Sequence, residues 1–389
     1  MTPALDMVAT IADRLAQRGE QATPRTVLAA LRAEGSLATG PVVLDLLRAV
    51  RAELTGAGPL EPLLADQRVS DVLVNGPAEV WVDRGDGLER ADVELADEEA
   101  VRRLAQRLAA AAGRRLDVAS PMVDARLQDG TRLHAVLPPV SPAGTLVSLR
   151  VPRRTAFSLE ELVARRTVAP RVADLLRAVV ATRLSLVVTG GSGTGKTTML
   201  STLLSVVDHR ERIVLVEGSG ELQPRHPHVV RLEARAPNVE GQGAVDLRTL
   251  VRQALRMRPD RLVVGEVRGA EVVELLAALN TGHDGGSGTV HANTAAALPA
   301  RVEALASAAG LPREAAHSQL AAGVDVVVHL VRDRSGHRRI SEVGALVRAA
   351  DGLVEVVPAV RVDPDGTVAS GPARDRLTAR CAAAGGDLR

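Results

Sequence analysis

A glycine-rich run followed by a lysine and two threonines, in residues 186–198 (LVVTGGSGTGKTT), is the stretch best suited to chemistry. An apolar segment precedes it and an apolar-periodic segment follows it, so strand, loop and helix match the phosphate-binding template G-x4-G-K-T. The glycines allow successive backbone N–H groups to surround a phosphate, and the helix N-terminus adds a positive dipole. The residues predicted to bind nucleotide are Gly190, Gly191, Ser192, Gly193, Thr194, Gly195, Lys196, Thr197 and Thr198.

Lys196 is the only lysine among 48 Lys and Arg residues, and the other 47 are arginine. A compact ammonium fits inside a phosphate-wrapping loop better than a planar guanidinium does. Lys196 is therefore predicted to contact the β- and γ-phosphates, and the Thr197 hydroxyl to ligate Mg²⁺. The alternative, a glycine-rich turn that binds nothing, leaves the lone lysine without an explanation.

Two carboxylates follow apolar strands downstream of this loop. Glu217 ends the strand of RIVLVEGSGEL, and Glu266 follows the strand 262–264 in PDRLVVGEVRG. Ligands of open α/β sheets bind at the carboxyl ends of the strands. Each could be a surface acid at a strand end, but together they predict a site in which one glutamate polarises the attacking water. Glu266 is also predicted, with Thr197, to hold Mg²⁺ or its water shell.

Two histidines lie in the glycine-rich segment 281–294, TGHDGGSGTVHANT. A strand that ends at His291 could present a hydrogen bond to a γ-phosphate and report its presence. Metal ligation by His283 and His291 is the competing interpretation, and it lacks acidic or cysteine partners at ligand spacing. The remaining histidines are interpreted as solvated, among them His209, His226, His228 and His337.

The elements that must position these residues alternate between helix and strand from residue 159 onward. This alternation predicts a P-loop α/β domain over residues 159–345, with a parallel sheet and helices on both faces. Short strands and a final helix are predicted for 346–389. Before them, 57–151 is predicted to be a smaller α/β domain joined through a linker at 152–158, and residues 1–56 a helical extension that docks on a neighbour or is loosely attached.

Three arginines lie on the last three predicted strands of the smaller domain. They are Arg126, Arg132 and Arg150. Taken alone, each is interpreted as a solvated strand residue.

Composition excludes several classes of protein. A hydrophobic content of 46% and a charged content of 24% are typical of a folded chain. The net charge of +1 and the scarcity of aromatic residues, Trp81 and Phe157 only, disfavour direct nucleic-acid binding. With Cys381 as the single cysteine, neither a disulfide within the chain nor a four-cysteine zinc module can form. No apolar stretch approaches the length of a membrane span and no signal peptide is evident, so a cytoplasmic protein is expected.

Four segments in order resemble the type II/type IV secretion ATPase superfamily: GGSGTGKTT, RIVLVEGSGELQPRHPHVVRLEAR, LVRQALRMRPDRLVVGEVRG and TGHDGGSGTVHANT. The similarity is greatest to the CpaF/TadA-like motors, which assemble Flp-type pili or serve conjugal transfer. The segments GPLEPLL, SDVLVNGP and PMVDARLQDGTRLHAVLPP resemble the N-terminal domain of that branch. The resemblance extends over residues 56–330.

This resemblance implies a RecA-like, Mg²⁺-dependent ATPase that forms a homohexamer and works with inner-membrane platform proteins at the cytoplasmic face of the membrane. It implies no zinc. Lys196 and Thr197 match the Walker A positions, Glu217 and Glu221 the Asp box, Gly265 and Glu266 the Walker B box, and His283 and His291 the His box.

The resemblance also implies that Arg132 and Arg150 reach the nucleotide phosphates, which reverses the solvated interpretation for those two and leaves Arg126 open. There is one departure, because Gly218 stands where the family usually has an aspartate. A nucleotide-gated scaffold with weak hydrolysis, a DNA-translocating motor and a small-molecule kinase remain as alternatives.

Overall fold

The computed structural model describes residues 56–383 except 67, 86, 153–155, 236 and 238–241, together with positions 8, 10, 11, 14, 15, 23–33, 46, 47, 50 and 54. The chain divides into two compact units, Met1–Arg153 and Arg154–Arg389. The predicted limits of the extension, the smaller domain and the linker stay predictions.

Before residue 56, every described position that belongs to a secondary-structure element is helical. Helix α1 is Pro24–Ala33. Apolar side chains from this region bury one another in a small cluster of their own. Its most buried members are Ile11, Leu15, Val27, Leu31 and Val50. The rest of the predicted helical extension lies outside the described residues.

An antiparallel sheet of six strands, in the order β3-β2-β1-β6-β5-β4, forms the rest of the first unit. The strands are β1 Asp71–Val74, β2 Val80–Asp83, β3 Leu88–Arg90, β4 Met122–Arg126, β5 Arg132–Val136 and β6 Leu146–Arg150. Helix α2 is Glu61–Ala65 and helix α3 is Glu98–Ala111. Burial alternates along β1 and β5, so one face of the sheet packs into the core with the apolar face of α3.

A sheet of nine strands forms the second unit, in the order β15-β14-β13-β12-β7-β11-β10-β8-β9. The strands are β7 Leu186–Gly190, β8 Ile213–Glu217, β9 Val229–Glu233, β10 Arg261–Val267, β11 Ser287–His291, β12 Val326–Arg332, β13 Arg338–Arg348, β14 Val354–Val362 and β15 Val368–Ser370. The helices are α4 Leu159–Ala164, α5 Pro170–Ala181, α6 Lys196–Leu204, α7 Leu247–Ala254, α8 Glu271–Leu279, α9 Leu298–Ala308, α10 Arg313–Gly323 and α11 Arg374–Ala383.

The predicted parallel arrangement holds for six of these strands, β12, β7, β11, β10, β8 and β9. Strands β13, β14 and β15 are antiparallel because short hairpins connect them, whereas parallel neighbours need a long crossover. The sheet therefore continues across residue 345, where the sequence placed a domain limit.

The central strands are buried on both faces, as a sheet covered by helices requires. Every residue of β7 and β8 is buried. Leu186 and Val188 belong to one apolar cluster while Val187 belongs to another, so alternate side chains of β7 supply the two faces. The predicted α/β fold is confirmed. Among the described residues, no helix has the length and apolar character needed to cross a membrane.

Candidate functional site

The glycine loop connects the end of β7 to the start of α6, as predicted. Gly195 precedes the helix in the left-handed region, at φ 94°. A Cβ on Gly190, whose φ is 151°, would lie 2.6 Å from both the Leu330 carbonyl oxygen and Thr194 Oγ1. Side chains are thus disfavoured at both ends of the loop, and the N-terminal N–H groups of α6 begin where the loop ends.

Lys196 is half-buried and folds back over the loop. Its Nζ donates to the carbonyl oxygens of Gly190, at 3.1 Å, and Gly191, at 2.8 Å. Burial lowers the pKa of this ammonium, and the nearby charge of Glu266 opposes that effect. The ammonium is therefore held at the loop in which the sequence predicted phosphate binding.

Hydroxyl and carboxylate oxygens collect beside the start of α6. Thr197 Oγ1 donates to Glu221 Oε2 over 3.5 Å. The charges of Glu266 and Glu221 both act on Lys196, so all four side chains belong to one electrostatic cluster. Mg²⁺ prefers hard oxygen ligands of this kind, one or two from the protein and the rest from phosphates and water. The residues present fit Mg²⁺ shared with a nucleotide.

Arg268 is a member of this cluster that sequence reasoning missed. Its Nη2 lies 2.5 Å from Glu266 Oε2, and its guanidinium is largely exposed. Its backbone N–H and that of Gly269 donate to Glu271 Oε1, at 2.6 and 2.9 Å. The backbone after β10 is fixed while the Arg268 side chain neutralises Glu266. The sequence did contain a signal for this contact, because Glu266 and Arg268 are two residues apart and side chains at that spacing in a strand lie on the same face.

Glu217 is not the surface acid of the alternative interpretation, since it is only 3% exposed. Its Oε1 accepts from the backbone N–H groups of Glu221 and Leu222, both at 2.9 Å. Its Oε2 is buried without a hydrogen-bond partner in the described part of the chain. Burial raises the pKa of Glu217 to about 7. This geometry favours a carboxyl group that fastens the turn carrying Glu221.

Gly265 makes room for that carboxyl group. A Cβ at Gly265 would lie 2.7 Å from Glu217 Cγ. The glycine that precedes Glu266 therefore has a packing role between the neighbouring strands β8 and β10.

Glu217→Gln is expected to remove a pH-dependent loss of stability. The folded-state pKa of about 7 exceeds the usual 4.5, so the folded state binds the proton more tightly and stability falls as pH rises between those values. Glutamine cannot ionise and keeps an acceptor for the two N–H groups, so the variant should gain up to about 3 kcal/mol over wild type between pH 5 and pH 8. Denaturant unfolding without nucleotide measures this; parallel pH profiles would contradict the raised pKa.

The structure separates the two histidines of the predicted His box. His291 ends β11 and pairs in register with Gly190, so it lies at the glycine loop. His283 precedes β11, and its Nδ1 is 3.3 Å from the Ala278 carbonyl oxygen. A five-residue strand rises about 13 Å, which places the two histidines at opposite edges of the sheet. Of the two, His291 is the one brought to the site.

Two histidines contradict the interpretation that the remaining ones are solvated. His329 is buried between strands, with Nδ1 2.8 Å from Thr189 Oγ1, and burial lowers its pKa. His317 is also buried, and its Nε2 lies 3.0 Å from Glu303 Oε2. For His329 the signal was its place within the apolar run VVVHLV, which is typical of a buried strand.

In the first unit, the strand register aligns the three arginines. Arg126 lies directly opposite Arg132, and Arg132 directly opposite Arg150. Asp71 continues the row beyond Arg150, and Arg132 Nη2 lies 3.6 Å from Asp124 Oδ2. Directly opposed side chains share one face, and like charges there are destabilising. The strand register therefore brings Arg126, Arg132 and Arg150 into one row on one face of this sheet.

A parallel sheet with a glycine loop at its carboxyl edge, a lysine at the loop and carboxylates beyond it defines a P-loop nucleoside triphosphatase. Residues 53–383 match the family model described as type II/IV secretion system protein. A putative conjugal transfer protein of Mycobacterium tuberculosis is 55% identical over 347 residues, which cover 88% of this chain and 98% of that protein. Protein VirB11 of Agrobacterium fabrum is 32% identical over 328 residues, covering 75% of this chain and 92% of its own.

The solved structure of the ATPase DotB of Legionella pneumophila aligns with a TM-score of 0.52 at 17% identity, covering 89% of this chain and 87% of that chain, a likeness of fold alone. The chain belongs to the type II/IV secretion system protein family. It is an ATPase of that family, and the resemblance noted in the sequence is confirmed.

Proposed function

We propose that the protein is a Mg²⁺-dependent motor in which ATP hydrolysis drives a pilus-assembly or secretion machine. It works as a homohexamer at the cytoplasmic face of the inner membrane, through platform proteins of that machine. The observation that carries the proposal is the convergence of Lys196, Thr197, Glu221 and Glu266 at the glycine loop. Membership of the secretion family supports the cellular role.

The residues of the loop have separate tasks in this proposal. Backbone N–H groups of 190–198 bind the phosphates, and Lys196 exchanges its two carbonyl partners for the β- and γ-phosphates. Thr197 and Glu266 hold Mg²⁺, which when bound neutralises charge developing on the phosphates. Of the two glutamates first considered, Glu266 is favoured to polarise the attacking water, because one oxygen of Glu217 already accepts two backbone N–H groups. Glu217 positions Glu221.

Two further contacts complete the proposed cycle. His291 donates a hydrogen bond to the γ-phosphate and so reports its presence. Arg132 and Arg150 of the first unit stabilise charge on the transferring phosphate, and their alignment in one row with Arg126 supports an anionic ligand.

The test is turnover by the purified full-length protein. Phosphate release from ATP that requires Mg²⁺ is expected, and no release under any nucleotide or Mg²⁺ concentration would overturn the proposal. Measuring the molecular mass of the protein in solution with a non-hydrolysable ATP analogue is expected to give a hexamer. A monomer under that condition would contradict the proposed homohexamer.

A motor serving conjugal transfer is the second candidate, and the 55% identical relative from Mycobacterium tuberculosis, a putative conjugal transfer protein, favours it. The net charge of +1 and the scarcity of aromatic residues argue against direct contact with DNA. Strong stimulation of ATP hydrolysis by DNA would favour a DNA-translocating motor, whereas unchanged turnover would favour coupling through proteins.

Gly218→Asp is expected to raise kcat. Gly218 stands where the resemblance expects an aspartate, and a Cβ there would meet nothing within 4 Å, so the first atom of a side chain has space. A carboxylate beside Glu217 would add an oxygen for the water shell of Mg²⁺. Gly218→Asn adds a side chain of the same shape without the charge. Comparing the steady-state rates of Gly218→Asp and Gly218→Asn therefore separates the effect of the negative charge from the effect of the added side chain. An aspartate variant no faster than the asparagine variant would show that the missing carboxylate does not limit turnover, and Gly218 would then no longer support the scaffold alternative with weak hydrolysis.

A further inference from the structure

The hairpin formed by β12 and β13 lies beside the glycine loop, with contacts from the start of the loop at Gly190 to its middle at Gly193. At the end of β7, Thr189 Oγ1 lies 2.8 Å from His329 Nδ1. The next residue, Gly190, pairs in register with Leu330, whose carbonyl oxygen occupies the space a Cβ would need. Strand β12 thus continues past the loop and turns back beside it.

Two arginines at the ends of this hairpin touch the middle of the loop. Arg338 Nε donates to the Gly193 carbonyl oxygen over 2.8 Å, and its Cδ lies 3.6 Å from the Cβ position of Gly195. Arg332 Nη1 lies 3.6 Å from the Cβ position of Gly193, while its Nε donates to the Gly336 carbonyl oxygen over 3.3 Å. The hydrogen bond to Gly336 fixes Arg332 to the hairpin turn, and the side chains of Arg332 and Arg338 both lie next to the loop.

A donor at the Gly193 carbonyl has a physical effect on phosphate binding. In a loop whose N–H groups surround a phosphate, a donor that binds the carbonyl oxygen of one peptide fixes the orientation of that peptide. Gly193 adopts φ 70° and has no side chain to restrict its backbone. A loop ordered before binding loses less conformational entropy when the ligand arrives, and affinity rises accordingly.

We propose that Arg338 is a positioning residue that raises the affinity for ATP by holding the Gly193 peptide in its binding orientation. The inference rests on the proposed nucleotide site, and it adds a part of the chain beyond residue 330, where the sequence resemblance ended. Arg338 acts through the loop backbone and takes no part in the chemical step.

Three variants of the full-length protein test the hydrogen bond against the charge. Arg338→Met keeps an unbranched side chain that extends as far as the position of Nε and removes the donor. Arg338→Gln places a neutral N–H, Nε2, at the same number of bonds from the backbone as Nε of arginine. Arg334→Met is the matched control, an exposed arginine on the same hairpin.

We expect Arg338→Met to raise the Kd and KM for ATP about tenfold while kcat changes by less than about twofold, since the Gly193 peptide must then be ordered when ATP binds. Arg338→Gln should keep most of the affinity, and Arg334→Met should match wild type. The melting temperature without nucleotide identifies variants that fail to fold; should Arg338→Met do so, Arg338→Ser, which cannot reach Gly193, replaces it.

Wild-type affinity in Arg338→Met would overturn the inference, as would equal losses in the methionine and glutamine variants, because the charge and not the hydrogen bond would then matter. A fall in kcat with KM unchanged would also overturn it. These outcomes leave ATP binding by the wild type intact. Absence of ATP binding by the wild type would instead remove the proposed function, and this inference with it.

Discussion

Lys196→Ala should reduce ATP hydrolysis by at least about a hundredfold, the scale of losing one preorganised contact to developing charge. The ammonium already lies at the loop, 3.1 and 2.8 Å from two of its carbonyl oxygens. Alanine would remove the cation that the β- and γ-phosphates meet and would leave those carbonyls without this donor. Phosphate release at saturating ATP and Mg²⁺ measures the effect, with melting temperature as the check on folding.

Lys196→Arg is the informative companion, because it keeps the charge and changes its shape. A planar guanidinium is longer than an ammonium and cannot place three donors at one point. We therefore expect the arginine variant to lose most of the activity as well. Turnover near the wild-type rate in Lys196→Ala would remove Lys196 from the chemistry and leave the predicted P-loop role without support, whereas such turnover in Lys196→Arg would show that the positive charge is sufficient whatever its shape.

Arg132→Ala and Arg150→Ala should each slow hydrolysis by about a thousandfold while nucleotide still binds, the lower range found for arginines that stabilise transferring phosphoryl groups. Binding should be retained because, in the proposed mechanism, the glycine loop and Lys196 hold the phosphates before the chemical step. Single-turnover rates and ATP affinity, measured on the same preparations, separate the two effects.

The row of arginines provides a graded comparison. Arg126→Ala tests whether the third member acts with its neighbours, and Arg103→Ala, an exposed arginine on α3, controls for loss of a surface charge in the same unit. If Arg132→Ala and Arg150→Ala hydrolyse ATP at the wild-type rate, the first unit has no part in the chemistry.

The loop and its strand-loop-helix setting could be predicted from sequence because they depend on neighbours along the chain. Glu217 shows where that reasoning ends. Its position at the carboxyl end of a strand was predicted, but its two N–H partners and its burial come from a turn whose path no local pattern specifies. The sequence alone left open which of Glu217 and Glu266 polarises the attacking water, and their different packing is what distinguishes them.

Contacts between strands that are distant in sequence also could not be predicted. The alignment of Arg126, Arg132 and Arg150 requires the register of three strands. The contact between Arg338 and Gly193 joins residues 145 positions apart, and it exists because β12 pairs with β7. The burial of His329 could have been predicted from its apolar neighbours, but its hydrogen-bond partner Thr189 could not.

The half-buried lysine at the glycine loop has a practical consequence for chemical labelling. A reagent selective for side-chain amines has one such target in the whole sequence. The lowered pKa of Lys196 leaves a larger fraction of that amine neutral, and so nucleophilic, than in an exposed lysine at the same pH. Acylation stoichiometry at this single amine therefore reports directly on access to the loop, without mutating the protein.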